Sequence, residues 1–242
     1  MVRNHRFLFI GGVHRSGTSP VFRCLREHPM ISGFRDTGVS KDEGQLLQSV
    51  YPPANAHGGV GKFGFHPEAH LTERSALAAD DNRARLFAEW GKYWNLEKPV
   101  LIEKSPPNVI RTRFLQEMFP NSYFVVVIRD PIAVSYATRD WTGAPLERLI
   151  EHWLLCHESF ERDRKRVRRL LVLRYEDFTE DPQATLEELY SFLGLPGHPN
   201  RIEVHKKVNE EYMERWRGED NASGIIRRFE RRVAAFGYSL DV

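Results

Sequence analysis

The sequence predicts an α/β fold: a single domain over residues 1–242, in three layers, with a central parallel sheet between helices. Three observations predict it. Phe7–Ile10, Val100–Ile102, Ser122–Ile128 and Leu171–Leu173 are apolar runs of strand length. The stretches between them carry apolar residues at helical spacing, and such strand–helix alternation implies right-handed crossovers and parallel pairing. The chain of 242 residues, 41% hydrophobic and 28% charged, has the composition of a globular protein large enough to bury a substantial core.

The first run leads into Gly11-Gly12-Val13-His14-Arg15-Ser16-Gly17-Thr18-Ser19, and then into Val21, Phe22 and Leu25 at helical spacing. Strand, small-residue turn and helix N-terminus together make an anion cradle, because turn amides and helix dipole point positive charge at one spot. From Gly12 to Gly17 the spacing is that of a phosphate-binding loop, and the predicted fold is accordingly P-loop-NTPase-like. The lysine expected next is Thr18, and the nearest cation is Arg15, inside the loop. A P-loop kinase also needs an aspartate at the end of an apolar strand to help hold Mg²⁺. Here the run Phe124–Ile128 ends in Arg129, which suits an anion and no metal.

Taken in order, the helix after the cradle stops at His28-Pro29, since proline cannot continue it. Residues 30–44 read as polar and irregular, Gln45–Tyr51 as a short helix stopped by Pro52-Pro53, and Ala54–His66 as a long loop. That loop contains Gly59-x-Gly61-x-x-Gly64. It is no dinucleotide fingerprint, lacking a strand before it and a helix opening within it. His66 and His70, four apart, lack a third ligand in the sequence and read as a surface or loop pair. Ala76–Trp94 is predicted helical, Val100–Ile102 a strand delivering Glu103-Lys104-Ser105 to the carboxyl edge, and Arg111–Phe119 a return helix. A long helix runs from Leu146 to about Arg169 with a basic, solvated tail, and Leu171–Leu173 delivers Arg174-Tyr175-Glu176-Asp177. Asp181 caps a helix that has Pro182 at its first position and ends at Gly194. The last forty-odd residues read as irregular, then helical from Ile225 to Phe236.

Four of these stretches, in this order, resemble sulfotransferases that use 3′-phosphoadenylyl sulfate (PAPS). Arg15-Ser16-Gly17-Thr18-Ser19 is similar to their 5′-phosphosulfate loop, and Arg129-Asp130-Pro131-Ile132-Ala133-Val134-Ser135 to their 3′-phosphate site. The resemblance continues through Lys104-Ser105-Pro106 and Tyr175-Glu176-Asp177, roughly the whole chain. It implies a sulfuryl group moved from PAPS, as co-substrate and without a metal, to a hydroxyl or amine acceptor, with adenosine 3′,5′-bisphosphate released. Arg15 and Lys104 are the implied donors to the breaking bond. Ser16, Gly17, Thr18 and Ser19 complete the loop, and Arg129 holds the 3′-phosphate; Tyr175 faces the adenine.

The resemblance departs in two places. The cytosolic small-molecule branch has a histidine base two residues after the matching lysine, and that position is Pro106. The resemblance is therefore closer to the tyrosylprotein and bacterial branch, which keeps a glutamate in the loop after the first helix. That implies Glu43 as the base, with Asp42, Asp36 and His14 as the other candidates; an anion beside His14 should hold its imidazole charged. The serine usual eight residues past the 3′-phosphate arginine is Ala137, and Ser135 or Thr138 is expected to replace its hydroxyl.

The competing classes are a P-loop kinase of a nucleotide or small molecule and a non-catalytic nucleotide-binding protein. A formal net charge of +2 and basic segments without interleaved aromatics give no nucleic-acid signature. No apolar run approaches the ~20 residues needed to span a bilayer. Cys24 and Cys156 lie among apolar residues and read as buried free thiols. The expectation is a cytoplasmic enzyme with a small-molecule, glycan or peptide acceptor and no membrane partner; nothing in the sequence speaks to oligomeric state.

Overall fold

The computed structural model describes residues 5–206 and 209–242. Five strands form one sheet in the order β2-β3-β1-β4-β5, all neighbours parallel. They are β1 (Arg6–Gly11), β2 (Ile31–Gly33), β3 (Val100–Lys104), β4 (Ser122–Ile128) and β5 (Leu170–Arg174). The chain leaves β1 for one edge, returns through β3 beside it, then crosses to β4 and β5 on the other side. Such a reversal opens a crevice at the strands' carboxyl ends, and β1 sits at its centre.

Both faces of the sheet are covered. Along β4, Val125 and Val127 join one apolar cluster while Val126 and Ile128 join the other, as the period-2 alternation of a strand requires. The first cluster takes Val21, Phe22 and Leu25 of α1 (Thr18–Leu25) and Leu86, Phe87 and Trp90 of α2 (Asp80–Trp90). It also takes Phe114, Leu115 and Met118 of α3 (Thr112–Met118) and Leu186 and Leu189 of α7 (Pro182–Phe192). The second takes Ile132 and Tyr136 of α4 (Pro131–Thr142), Ile150 and Trp153 of α5 (Leu146–Arg164) and Ile225, Phe229 and Val233 of α9 (Ala222–Ala234). The three predicted layers are present. Two short helices remain, α6 (Tyr175–Glu180) and α8 (Glu210–Arg217). Among the described residues no helix is long and apolar enough to cross a membrane.

Several boundaries differ from the sequence reading, each for a physical reason. The helix predicted over Ala76–Trp94 begins at Asp80, where Asp80 and Asp81 complement the dipole of its first turn. It ends at Trp90, and Trp94 instead donates from Nε1 to the Ile102 carbonyl of β3 at 2.9 Å. The helix from Leu146 stops at Arg164 rather than Arg169, because the chain must turn to enter β5 at Leu170. Gln45–Tyr51 is not a helix; a single 3₁₀ turn covers Gly44–Leu46. The region read as irregular between 30 and 44 contains β2, too short at three residues to show a strand pattern. Likewise α8, whose only buried side chain is Trp216, lies in the polar stretch read as irregular. The Asp181 cap is as predicted, with Oδ1 accepting from Ala184 N at 2.9 Å.

Candidate active site

The cradle is closed by its own short-range bonds. Ser16 directs both its amide and its hydroxyl to the Val13 carbonyl, at 3.1 and 2.7 Å, so its side chain shapes the turn. Arg15 adopts φ 68, a left-handed conformation that a non-glycine residue holds only under surrounding constraint. The constraint is visible: Arg129 Nη1 donates to the Arg15 carbonyl at 2.9 Å. Gly17 (φ 97) is required twice over, by its backbone and because a Cβ there would overlap the Tyr175 ring. Thr18 and Ser19 open α1, whose first amides have no partner within the helix. The Arg15 guanidinium is exposed and lies 5.1 Å from the Trp141 ring.

The strand ends bring the other predicted residues to the same edge. Ile10 of β1 pairs with Lys104 of β3, and Ile128 of β4 with Arg174 of β5, so Lys104, Arg129 and Tyr175 flank the cradle in register. Arg129 is nearly buried. Its Nε donates to Asn209 Oδ1 at 2.9 Å, and its guanidinium lies 4.9 Å from the Tyr175 ring and 5.8 Å from that of Tyr212. Tyr175 thus fits between Gly17 and Arg129. Glu176 ties this side together, accepting from Asp130 N (3.0 Å), Asn209 Nδ2 (2.8 Å) and the Tyr238 hydroxyl (2.9 Å). Sequence reasoning did not single it out.

Of the two hydroxyls offered for the position next to Ala137, Ser135 is fully buried and its Oγ has no partner. Thr138 turns its methyl toward Gly61. A buried unpaired hydroxyl costs about 1–3 kcal/mol. Ser135 is the one with an unsatisfied bond to give.

On the β3 side, Lys104 is 0% exposed and its Nζ donates to Glu43 Oε1 at 3.1 Å. Burial lowers the Lys104 pKa, and the Glu43 carboxylate opposes that shift. Gln45 Nε2 donates to Glu43 Oε2 at 2.7 Å. The turn carrying Glu43 is pinned at three points, by β3, by the residue that follows it and by α2. Gly44 N donates to Glu103 Oε1 (3.0 Å), Gln45 N to Ser105 Oγ (2.9 Å), and Trp90 Nε1 to the Gly44 carbonyl (2.9 Å). Glu103 also accepts from Ser105 Oγ and Asn108 Nδ2, each at 2.6 Å, and burial pushes its carboxyl up to about 7.

The other acids stand elsewhere. Asp42 pairs with Arg26 at 3.3 Å and accepts from the Thr37 amide and hydroxyl, while Asp36 is exposed. His14 stands beside two of the cations. Burial, then Lys104 and Arg15, lower its pKa to about 3, so without an anion beside it the imidazole is neutral. Its Nδ1 is buried without a partner, and its ring meets Phe63 and Trp141 edge-on. The pair His66–His70 dissolves as well: His70 bonds Asp163 at 2.6 Å, while His66 turns toward Glu68.

This geometry provides a cradle of amides, three cations at strand ends and loop, and one carboxylate held beside a lysine. Comparison with known proteins agrees with it. A model described as "Sulfotransferase family" matches residues 8–199. The omega-hydroxy-beta-dihydromenaquinone-9 sulfotransferase Stf3 of Mycobacterium bovis is 28% identical over 119 residues, 43% of this chain and 30% of that protein. Protein-tyrosine sulfotransferase 2 of Gallus gallus is 24% identical over 246 residues, 87% of this chain and 63% of that one. The chain thus spans less than two thirds of the length of either relative. Among solved structures, the sulfotransferase domain from the curacin biosynthetic pathway superposes with a TM-score of 0.60 at 16% identity, covering 97% of this chain and 98% of that one. The corresponding domain of the Synechococcus PCC 7002 olefin synthase gives 0.57 at 18%, covering 98% and 95%. With most of its length, cradle and strand edge included, inside the matched region, the chain belongs to the sulfotransferase family.

Proposed function

We propose that this chain moves the sulfuryl group of PAPS to a hydroxyl acceptor and releases adenosine 3′,5′-bisphosphate. The observation that carries the proposal is the buried Glu43–Lys104 pair beside the cradle. A buried ion pair is an expensive feature of a fold, and this one stands at the crevice where ligands bind on such sheets. PAPS brings an activated sulfur–oxygen bond and a nucleotide with phosphate groups at both ends. The residues fit it: the cradle and Arg15 suit the phosphosulfate, and Arg129 with the unsatisfied Ser135 hydroxyl suits the 3′-phosphate. Tyr175, seated at Gly17 and Arg129, suits the adenine side.

In the reaction the acceptor oxygen bonds to sulfur as the bond to the bridging phosphate oxygen breaks. Negative charge grows on that oxygen, so donors preorganised around it lower the barrier. Lys104 and Arg15 take this role. Glu43 takes the acceptor proton, having no histidine in competition at Pro106. Lys104 serves both halves, since donor phosphate competes with Glu43 for its ammonium and so frees the carboxylate as the donor binds. A hydroxyl acceptor is further supported by the two relatives, whose names give a hydroxylated menaquinone and a protein tyrosine. Cytoplasmic placement is part of the same proposal, supported by two buried, unpaired cysteines.

Thermal melting tests the donor class. A ligand that binds only the folded chain raises the melting temperature by mass action. Adenosine 3′,5′-bisphosphate is expected to stabilise the chain, and ATP–Mg²⁺ to leave it unchanged. Protection by ATP–Mg²⁺ alone would return the chain to the kinase class.

A further inference from the structure

The stretch Ala54–Ala69 carries a cluster that the sulfuryl-transfer reading does not use. His57 ends one 3₁₀ turn, Ala54–His57, and Glu68 lies in another, Pro67–Ala69, that directly follows His66. Between them Gly58, Gly59 and Gly61 have φ of 79, 80 and 70. These left-handed residues fold the chain back on itself, so that residues nine and eleven positions apart meet His57. One ligand atom from each of His57, His66 and Glu68 falls within 4.8 Å of the other two.

We propose that His57, His66 and Glu68 bind a divalent transition-metal ion of the zinc class. Two imidazoles and a carboxylate form an established donor set for zinc, with water in the fourth position. Bonds of about 2.0–2.2 Å in a tetrahedron separate neighbouring ligand atoms by about 3.3–3.6 Å. Glu68 Oε1 lies 3.7 Å from His57 Nδ1 and 3.2 Å from His66 Nδ1, straddling that value. The second distance is that of a hydrogen bond and the first that of a looser imidazole–carboxylate pair, so both rings already face one carboxylate oxygen. His57 is nearly buried while the Glu68 side chain is 62% exposed. The site is therefore anchored on the protein side and open on the other, where a fourth, water ligand enters.

The ion would act on the fold rather than on sulfur. The stretch it closes carries Phe63, fully buried, whose ring lies 5.7 Å from His14 and 4.7 Å from His152. Gly61 and Gly64 pack it against α5 so closely that a Cβ would overlap Leu149 at the first and Cys156 at the second. A metal clip between 57 and 68 fixes this wall beside the cradle.

The test is a Co²⁺ titration of the full chain without a histidine tag, followed by the visible ligand-field bands of the bound ion and by Zn²⁺ competition. One Co²⁺ per chain, displaced by Zn²⁺, is expected. His66→Ala and Glu68→Gln change partly exposed side chains and should fold. Each is expected to weaken Co²⁺ by about 10-fold or more, since loss of a ligand matters at least as much as loss of an outer-shell partner. Zn²⁺ should also raise the melting temperature of the unaltered chain and not of the variants. Absence of the bands, or bands of unchanged affinity in both variants, overturns the proposal. Stabilisation by adenosine 3′,5′-bisphosphate should persist in both variants, so the metal site and the donor site fail or stand separately.

Discussion

The cradle and the Glu43 turn meet at Lys104 but are built on different plans. The cradle is largely local: Ser16 bonds Val13 three residues away and glycine conformations shape the turn, with Arg129 on the Arg15 carbonyl as a long-range tie. The Glu43 turn is held from far along the chain, by Lys104 at a separation of 61 residues, Glu103 at 59 and Trp90 at 46. A local device survives changes elsewhere in the fold. A device assembled by tertiary contacts depends on distant residues such as Trp90, and in the proposed function that difference separates binding from turnover.

The largest effect is expected where the two plans meet. Lys104→Ala removes the proposed donor to the reacting oxygen and leaves Glu43 buried without its counter-charge. Turnover should fall by about 10²–10³-fold, as for loss of a preorganised donor. The fold should lose about 3–5 kcal/mol, as for one broken partner of a buried pair. Chemical denaturation of this variant reads the second figure, and an unchanged midpoint would mean the pair is not formed in solution.

Arg15 separates strain from function within the cradle. Arg15→Gly should reduce turnover by about 10² by the same reasoning. The backbone there already has φ 68, a region glycine enters without steric penalty, so the variant should melt no lower than the parent. A variant that melts well below the parent would show that the Arg15 side chain holds the loop together.

Glu103 sharpens the other plan through pH. Its usual value of 4.5 is raised to about 7 by burial, so between those values the folded chain holds a proton that the unfolded chain releases. Stability from this group therefore declines as pH rises from about 4.5 to 7, with a slope of at most about 1.4 kcal/mol per pH unit. Denaturant titrations at pH 5, 6 and 7 should show a shallower decline for Glu103→Gln than for the parent. Parallel declines would contradict the assignment. Trp90→Phe deletes the Nε1 donor to Gly44 together with part of a fully buried ring. It should lose more than the ~1 kcal/mol of one hydrogen bond, because a cavity is left as well, and slow turnover a few-fold, with bisphosphate affinity unchanged.

Legibility followed the same division. β1, β3, β4 and the α7 cap were readable because each is specified within a few consecutive residues, and so were Arg15, Lys104 and Arg129 as strand-end or loop cations. Glu43 was reached through resemblance and a presumed helix start. The structure supplies a 3₁₀ turn and a lysine 61 positions away instead. Ser135 and Thr138 are both buried, and what sets Ser135 apart, a hydroxyl with no partner, is not revealed by helical spacing. His66 and His70, read as a surface or loop pair, take separate partners: left-handed glycines bring His66 to His57, and Asp163 claims His70. Glu103 read as an edge residue, and only its three hydrogen bonds, one of them from the turn that carries Glu43, reveal its tie to that turn. The three-residue strand β2 and the polar helix α8 carry too little apolar pattern to be seen at all.

The separation of binding from turnover is tested most directly by Arg129→Ala and Glu43→Gln side by side, each assayed for adenosine 3′,5′-bisphosphate affinity and for sulfuryl transfer from labelled PAPS across a panel of phenolic and alkyl hydroxyl acceptors. Arg129→Ala should weaken the bisphosphate by about 10-fold or more, the worth of a charge-assisted hydrogen bond. It should weaken adenosine 5′-phosphosulfate, which lacks the 3′-phosphate, far less. Glu43→Gln should bind the bisphosphate like the parent and turn over about 10²–10⁴-fold more slowly, as loss of a general base does. Normal turnover in Glu43→Gln, or a loss of bisphosphate affinity to match its loss of turnover, would contradict the account.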